Sequence, residues 1–184
     1  MELYDGIFQR QSVSKVKPDP LPRPILEKLL SAAVQAPNHH RVRPWRFFVL
    51  EGEARVRLGE VMAHSLRQRK PETLPEALEV ERRRPLRAPV VIAVAVDKPS
   101  DPKVVEIENV CAAAAAVQNL LLAAVALGLG AMWRTGDAAY DPAVKAFFGL
   151  QSDQHLISFI YVGYQAFEPS PQERPGFEDQ TIWM

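Results

Sequence analysis

Apolar residues recur along the chain in two rhythms, one of helical and one of extended period, and each marks an element. Leu3, Ile7 and Phe8 share a helical face, which predicts a short first helix ending near Gln9 or Arg10. The stretch RQSVSKVKPDPLPRP that follows is polar and proline-rich and reads as an ordered loop. Past Pro24, Leu26, Leu29, Leu30 and Ala33 return at helical spacing as far as Gln35, and a proline in the first turn suits that start. A second loop from Ala36 carries His39, His40, Arg41 and Arg43 up to Pro44. Trp45 to Leu50 is then a compact, aromatic-rich run, the pattern of a strand. Leu58, Val61, Met62 and Leu66 form the apolar stripe of a further helix. Lys70 to Arg87, charged and interrupted by prolines, predicts a mobile excursion with one short helix.

Ala88 to Val96 is apolar at every position and bounded by proline and Asp97-Lys98-Pro99, which predicts a strand covered on both faces. Asp101-Pro102 combines an acidic N-cap with proline at the first helical position. The helix predicted from there to the Gly-Leu-Gly at 128–130 is apolar on nearly every side and so belongs in the middle of the fold. Leu129 to Arg134 reads as a short strand, Asp141-Pro142 as another helix start closed at Gly149, and His155 to Tyr164 as the last strand. The tail from Gln165 to Met184 has no period, yet Phe177, Ile182 and Trp183 are too apolar to be left in water. Such a tail is expected to dock, with a partner subunit as one candidate. About four strands among five or six helices predict one domain spanning residues 1–184, a layered α/β or α+β arrangement with helices on both faces of a sheet.

Composition narrows the function classes. The 22 Lys and Arg residues equal the 22 Asp and Glu residues, and hydrophobic content is 47%. Zero net charge argues against a general nucleic-acid or anionic-membrane binder, whose affinity needs an excess of cations. The basic runs at Arg67–Lys70 and Arg82–Arg84 are offset by Glu72, Glu76, Glu79 and Glu81 and read as solvated helical faces. A single cysteine, Cys111, leaves no internal disulfide, suits a reducing compartment, and among its alanine neighbours is expected to be a buried structural thiol. The acidic N-terminus lacks the charge pattern of a signal peptide, so a cytoplasmic protein is expected. The apolar stretch Val110 to Leu129 is broken by Gln118-Asn119, which favours a buried helix over a membrane span.

Most familiar chemistry is missing from the sequence. The Gly-Leu-Gly follows a helix and enters a strand, the reverse of the dinucleotide-binding context, and lacks the third glycine. No phosphate-binding loop, nucleophile elbow or C-x-x-C is present. Zinc at His39-His40 would need two further ligands, and the other histidines, His64 and His155, are remote in sequence, so no metal is expected. What remains is Arg10 and Ser12, whose spacing in an extended loop sets a guanidinium and a hydroxyl on one face, able to share a phosphate. A solvent-facing arginine beside a turn-forming serine is the alternative.

At this point the chain resembles the nitroreductase family of flavin-dependent enzymes, most closely its small single-domain bacterial branch. Three motifs in the same order carry the resemblance: a short helix followed by Arg10-Gln11-Ser12; a helix ending Ala36-Pro37, a polar loop, then Pro44-Trp45 and a strand; and a long alanine-rich helix ending Gly-Leu-Gly and entering Trp133-Arg134. The resemblance implies an α+β sandwich with a central mixed sheet flanked by helices, forming an intertwined homodimer with FMN at the subunit interface. It implies that Arg10, Gln11 and Ser12 hold the phosphate and ribityl end of FMN, that Gln35 and His39 reach the flavin from the other subunit, and that Trp133, Arg134 and Thr135 complete the pocket. Leu121, Leu122, Ala123, Ala124, Val125 and Ala126 lie where this branch meets NADH or NADPH. Many family members carry glutamine or asparagine in the loop where this chain has Val42-Arg43, so the contact made there to the flavin ring is either lost or supplied by Arg43. A cation at the ring's N1–C2 edge favours the anionic reduced flavin, a role open to Arg134 or Arg43. The implied reaction is ping-pong, with hydride passing from NAD(P)H to flavin N5 and then to a small acceptor, typically a nitroaromatic or quinone. It requires no side chain as acid or nucleophile. Two other classes use the same residues: a flavin-storing or flavin-sensing protein without efficient turnover, and a structural dimer without cofactor.

Overall fold

The two rhythms resolve into a four-stranded sheet with helices on both faces. The computed structural model describes residues 2–170 and 172–184. In chain order its elements are α1 (Leu3–Gln9), α2 (Arg23–Ala33), β1 (Trp45–Leu50), α3 (Glu53–Arg69), α4 (Pro75–Arg83), β2 (Val90–Val96), α5 (Glu106–Ala126), β3 (Leu129–Arg134), α6 (Asp137–Tyr140), α7 (Pro142–Phe147) and β4 (His155–Tyr164). Single 3₁₀ turns occupy His39–Arg41, Arg84–Arg87 and Glu178–Gln180.

The strands lie in the order β1-β2-β4-β3, and every neighbouring pair is antiparallel. The expected mixed sheet is thereby corrected, and the connections supply the reason. Two helices in series, α3 with α4 and α6 with α7, bring the chain back to the end of the sheet it left, so β1 and β2, and likewise β3 and β4, run in opposite directions. Only α5 makes a single-helix crossover, which leaves β2 and β3 pointing the same way. The last strand then inserts between them, and the one parallel relation is never hydrogen-bonded.

Alternation along β2 divides it between two cores. Val90, Ile92 and Val94 pack with Leu26 and Leu29 of α2, Leu120 and Ala124 of α5, and Ile160 of β4. Val91, Ala93 and Ala95 face Leu58 and Met62 of α3, Val144 of α7 and Phe148. No residue of β2 is more than 2% exposed, and each valine or isoleucine so buried stabilises the fold by about 1.5–3 kcal/mol relative to exposure. Helix α5 is long and apolar enough, by length and composition, to cross a membrane. Here Ala112, Ala113 and Ala116 let it lie close against the sheet as the core helix.

Three further expectations are revised. Asp101-Pro102 does not begin α5: the Asp101 carboxylate accepts from Lys103 N at 2.8 Å in a turn, and the helix starts at Glu106. Lys70–Arg87 is no loose excursion, because α4 packs along α3, buries Glu81 and pairs Arg82 with Glu60 at 2.9 Å. Cys111 is exposed. It lies on the outer side of α5 in line with Ile107, Gln118, Leu122 and Val125, because the helix has a second apolar stripe that its own chain does not cover.

Between α1 and α2 the chain rounds the β3 edge and crosses the sheet face that carries α3. Val13 N donates to Ala131 O at 2.9 Å, Lys17 N to Tyr164 O at 2.7 Å, and Val16 bridges Gln165. Two glycines make room for it. A Cβ on Gly130 would meet Val13 Cγ1 at 2.8 Å, and one on Gly163 would meet Pro89 Cδ at 2.8 Å and Val16 Cβ at 3.0 Å.

Candidate functional site

The candidate residues fall into three places, and the segment Arg10–Val16 links two of them. The first is an open cleft of about 490 Å³ between the end of α1, the C-terminal half of α5 and the tail. Arg10 and Gln11 line one wall, Leu121, Val125 and Leu129 the apolar opposite wall, and Gln172 and Arg174 the rim. The tail is fastened here, since Gln11 Nε2 donates to Ser170 O at 2.9 Å and Arg174 Nη2 donates to Arg10 O. Burial, and secondly the neighbouring Arg174 cation, push the Arg10 guanidinium below its ordinary value. The cleft thus presents two guanidiniums beside apolar side chains, with one carboxylate, Glu168, also in its lining. Arg174 was not legible in the sequence; a lone arginine in an aperiodic tail gives no sign of contact with residue 10.

The second place is on the α3 side of the sheet. Arg134 ends β3 at a position that alternation turns away from α5, and its guanidinium lies 6.0 Å from the centre of the Tyr161 ring. Arg134 and Thr135 line a depression with Arg84, Arg87 and Tyr161. Trp133, one residue earlier, turns the other way: its indole packs on the α5-side core and donates to Ile157 O at 3.2 Å. The indole of Trp133 is therefore part of the packing on the α5 side of the sheet.

The third place is the loop after α2. Gln35 is exposed, and its side-chain amide donates within its own turn, to Ser31 O at 3.3 Å. His39 Nδ1 lies 2.8 Å from Glu108 Oε2 at the start of α5, and this contact is the main reason the Glu108 carboxyl sits below its ordinary value. His39 and His40 stack at 4.0 Å between ring centres. The backbone here is strained: His40, Arg41 and Arg43 have φ of 53°, 56° and 51°, a region that costs non-glycine residues on the order of 1 kcal/mol each. Asn38 Oδ1 holds the turn by accepting from Arg43 N at 2.9 Å. Glu108 as the partner of His39 was not foreseen, for nothing local connects them.

In one chain the loop after α2 stays apart from the Arg10 cleft. Helix α5 is the ruler: His39 is tied to its first turn, and the Arg10 cleft begins at Leu121, roughly 20 Å further on at 1.5 Å per residue. Gln35 and Arg43 do not line the Arg10 cleft either. Of the segment considered for nicotinamide contact, Leu121 and Val125 line the cleft, Ala124 is buried, Leu122 and Ala123 are half-buried and Ala126 is exposed.

A sheet of order β1-β2-β4-β3 sandwiched between α2/α5 and α3/α7 is the nitroreductase-like α+β fold. The superposition is close on a nitroreductase-like family protein from Bacillus cereus, with a TM-score of 0.85 at 25% identity over 100% of this chain and 96% of that one. The chain belongs to the nitroreductase family, whose model matches residues 7–164. It is 32% identical over 164 residues to YdjA of Escherichia coli (strain K12), provisionally named an NAD(P)H nitroreductase, covering 89% of this chain and 88% of that protein. A nitroreductase with bound FMN from Bacteroides fragilis NCTC 9343 shares the fold at a TM-score of 0.75 and 20% identity, over 100% of this chain and 99% of that one.

Proposed function

We propose that this protein is a cytoplasmic FMN-dependent oxidoreductase that uses NADH or NADPH to reduce small acceptors such as nitroaromatics and quinones, and that it works as a homodimer with FMN between the subunits. The observation that carries the proposal is the Arg10 cleft in a chain of this family. FMN combines a phosphate dianion with a flat apolar ring, and the cleft sets the guanidiniums of Arg10 and Arg174 opposite Leu121 and Val125. When bound, FMN supplies reversible two-electron transfer between a nicotinamide and an acceptor that occupy the site in turn.

The chain's own residues would bind and orient. Arg10 and Arg174, with Gln11 and Ser12 beside them, hold the phosphate and ribityl end. Gln35, His39 and Arg43 reach the site of the neighbouring subunit, and the length of α5 favours that arrangement over contact within one chain. Trp133 fixes the end of β3 through its bond to Ile157 O, which positions Arg134 and Thr135. Leu121 to Ala126 form the wall on which the nicotinamide is expected to rest.

A homodimer gives the uncovered apolar surface an occupant. Ile107 on α5 is 61% exposed, Phe8 on α1 74%, and Trp183 in the tail 86%, and a partner subunit would cover such residues. The test is direct: the purified protein, or its apoprotein given FMN, should be yellow and release FMN on heating. A colourless protein that takes up no FMN overturns the proposal.

A further inference from the structure

The first turn of α5 carries two glutamates, each set against a histidine. Glu106 Oε1 lies 2.8 Å from His155 Nε2 at the start of β4, and Glu108 Oε2 lies 2.8 Å from His39 Nδ1 in the loop after α2. The first pair ties the helix to the sheet, and the buried Asn109 adds a bond from its side-chain amide to Asp97 O at 3.3 Å. The helix start is thus seated without Glu108. The loop is closed without it too, by Asn38 Oδ1 on Arg43 N and by backbone bonds from Arg41 N to Asn38 O at 3.3 Å and from Val42 N to His39 O at 3.4 Å.

What the second pair constrains is the imidazole of His39. The contact holds the Glu108 carboxyl below its ordinary value, so at neutral pH the carboxylate is ionised and can only accept. The hydrogen between them therefore belongs to Nδ1, and in the neutral ring Nε2 keeps the lone pair. His40 stacks on one face of the ring, with 24° between the planes. One nitrogen edge and one face are thus occupied, while the Nε2 edge has no hydrogen-bond partner among the described residues. The His39 side chain is still 60% exposed. It is held without being buried, the condition of a group kept for something outside its own chain, and the strained φ angles of its neighbours mark the same loop as functional.

We propose that Glu108 is a positioning residue: it fixes His39 in the Nδ1–H tautomer and in one orientation, so that Nε2 is offered as an acceptor to the FMN of the neighbouring subunit. The inference rests on the oxidoreductase reading, in which His39 reaches that flavin. A ribityl hydroxyl or the N3–H of the flavin ring is the kind of donor that Nε2 accepts from in this state, and a flavin carbonyl is not. A carboxylate on the far nitrogen sets both tautomer and ring orientation of a histidine that serves another group. Without Glu108 the imidazole turns about its side-chain bonds and exchanges tautomers, and the ordering it then needs weakens binding.

Affinity of the apoprotein for FMN, read by quenching of flavin fluorescence, tests this in a cycle of Glu108→Ala, His39→Ala and the double variant. Glu108→Ala should weaken binding about threefold to tenfold, the range of one net hydrogen bond. Glu108→Gln, which keeps an acceptor oxygen, should recover most of it. In the His39→Ala background Glu108→Ala should lower affinity no further. Equal losses in both backgrounds, or no loss in either, overturn the proposal, since a structural role acts whether or not His39 is present. Glu106→Ala, which removes the sister pair, should bind FMN as wild type does, and a loss matching that of Glu108→Ala counts against a role specific to His39. Long-range proton–nitrogen NMR of the histidine-labelled apoprotein gives a readout without flavin. His39 should show the Nδ1–H tautomer in wild type and in Glu108→Gln and shift toward Nε2–H in Glu108→Ala; an unmoved tautomer overturns the positioning role. The two readings fail differently. A protein that takes up no FMN, or whose His39→Ala variant binds it normally, removes the flavin contact of His39 and the proposal with it, whereas additive losses or an unmoved tautomer remove the role of Glu108 alone.

Discussion

His39 Nδ1 lies 2.8 Å from Glu108 Oε2 at the N-terminal end of α5, while Arg10 faces the C-terminal half of the same helix across a cleft walled by Leu121 and Val125. Two residues proposed to serve one flavin are thereby held at opposite ends of a rigid element, and the proposed two-fold dimer would reunite them. Arg10→Ala and His39→Ala homodimers should each bind FMN at least tenfold more weakly than wild type, in keeping with the loss of a charge-assisted contact of about 1.5–3 kcal/mol. Mixed dimers of the two variants should regain one site of wild-type affinity per dimer. Mixed dimers no better than either parent would show that both residues act within one chain.

The uncovered stripe of α5 bears on the same arrangement. Ile107→Arg places a cation on a surface that the dimer reading needs dry, so sedimentation should show a shift from dimer to monomer with loss of bound FMN. Far-ultraviolet circular dichroism should stay unchanged, because Ile107 is already exposed in the single chain. A variant that remains dimeric would move the interface elsewhere.

Asp141 is the most heavily committed polar side chain on the other face. Its carboxylate caps α7 through Ala143 N at 2.8 Å and Val144 N at 3.2 Å, accepts from Ser65 Oγ, and meets Arg69 Nε at 3.0 Å. Asp141→Ala should lower unfolding stability by about 2 kcal/mol, the sum of a lost cap and a lost buried hydrogen bond, as read from the midpoint of urea denaturation. Asp141→Asn, which can still cap, should recover part of it.

Glu81 gives the fold a pH dependence of defined sign. Burial raises its carboxyl above the ordinary value, opposed by Arg84. With the folded-state pKa above the unfolded one, the folded protein holds the proton more tightly between the two values, so stability falls as pH rises through that window and then levels off. Glu81→Gln should remove this segment from the stability profile measured by denaturant titration from acid to neutral pH. A profile unchanged by the substitution would mean that Glu81 is as easily ionised folded as unfolded.

The sequence made the strands legible because their signals are local. Trp45–Leu50, Leu129–Arg134 and His155–Tyr164 fall where run length and bounding turn residues put them. The antiparallel sheet was not legible, since strand order depends on β4 inserting between β2 and β3, a long-range pairing that no local pattern encodes. Helix α5 misled at both levels for one reason. Apolar residues on two faces look alike whether the second face meets the chain's own core or a surface left open, so Cys111 read as buried. In the site, Arg10 and Gln11 were legible from a motif beside a helix end. Arg174, Arg87 and Glu108 were not, because their partners are brought close only by the tail, the turn after α4 and the loop after α2.

The reading as an oxidoreductase comes down to whether this chain lets a nicotinamide reduce its flavin. The FMN-loaded protein should be titrated anaerobically with NADH and with NADPH while the visible flavin absorption is followed. The account predicts that the band bleaches stoichiometrically with at least one of them and returns when a quinone or nitroaromatic is added. A band that persists under excess of both nicotinamides would contradict it and leave a protein that binds flavin without turning it over.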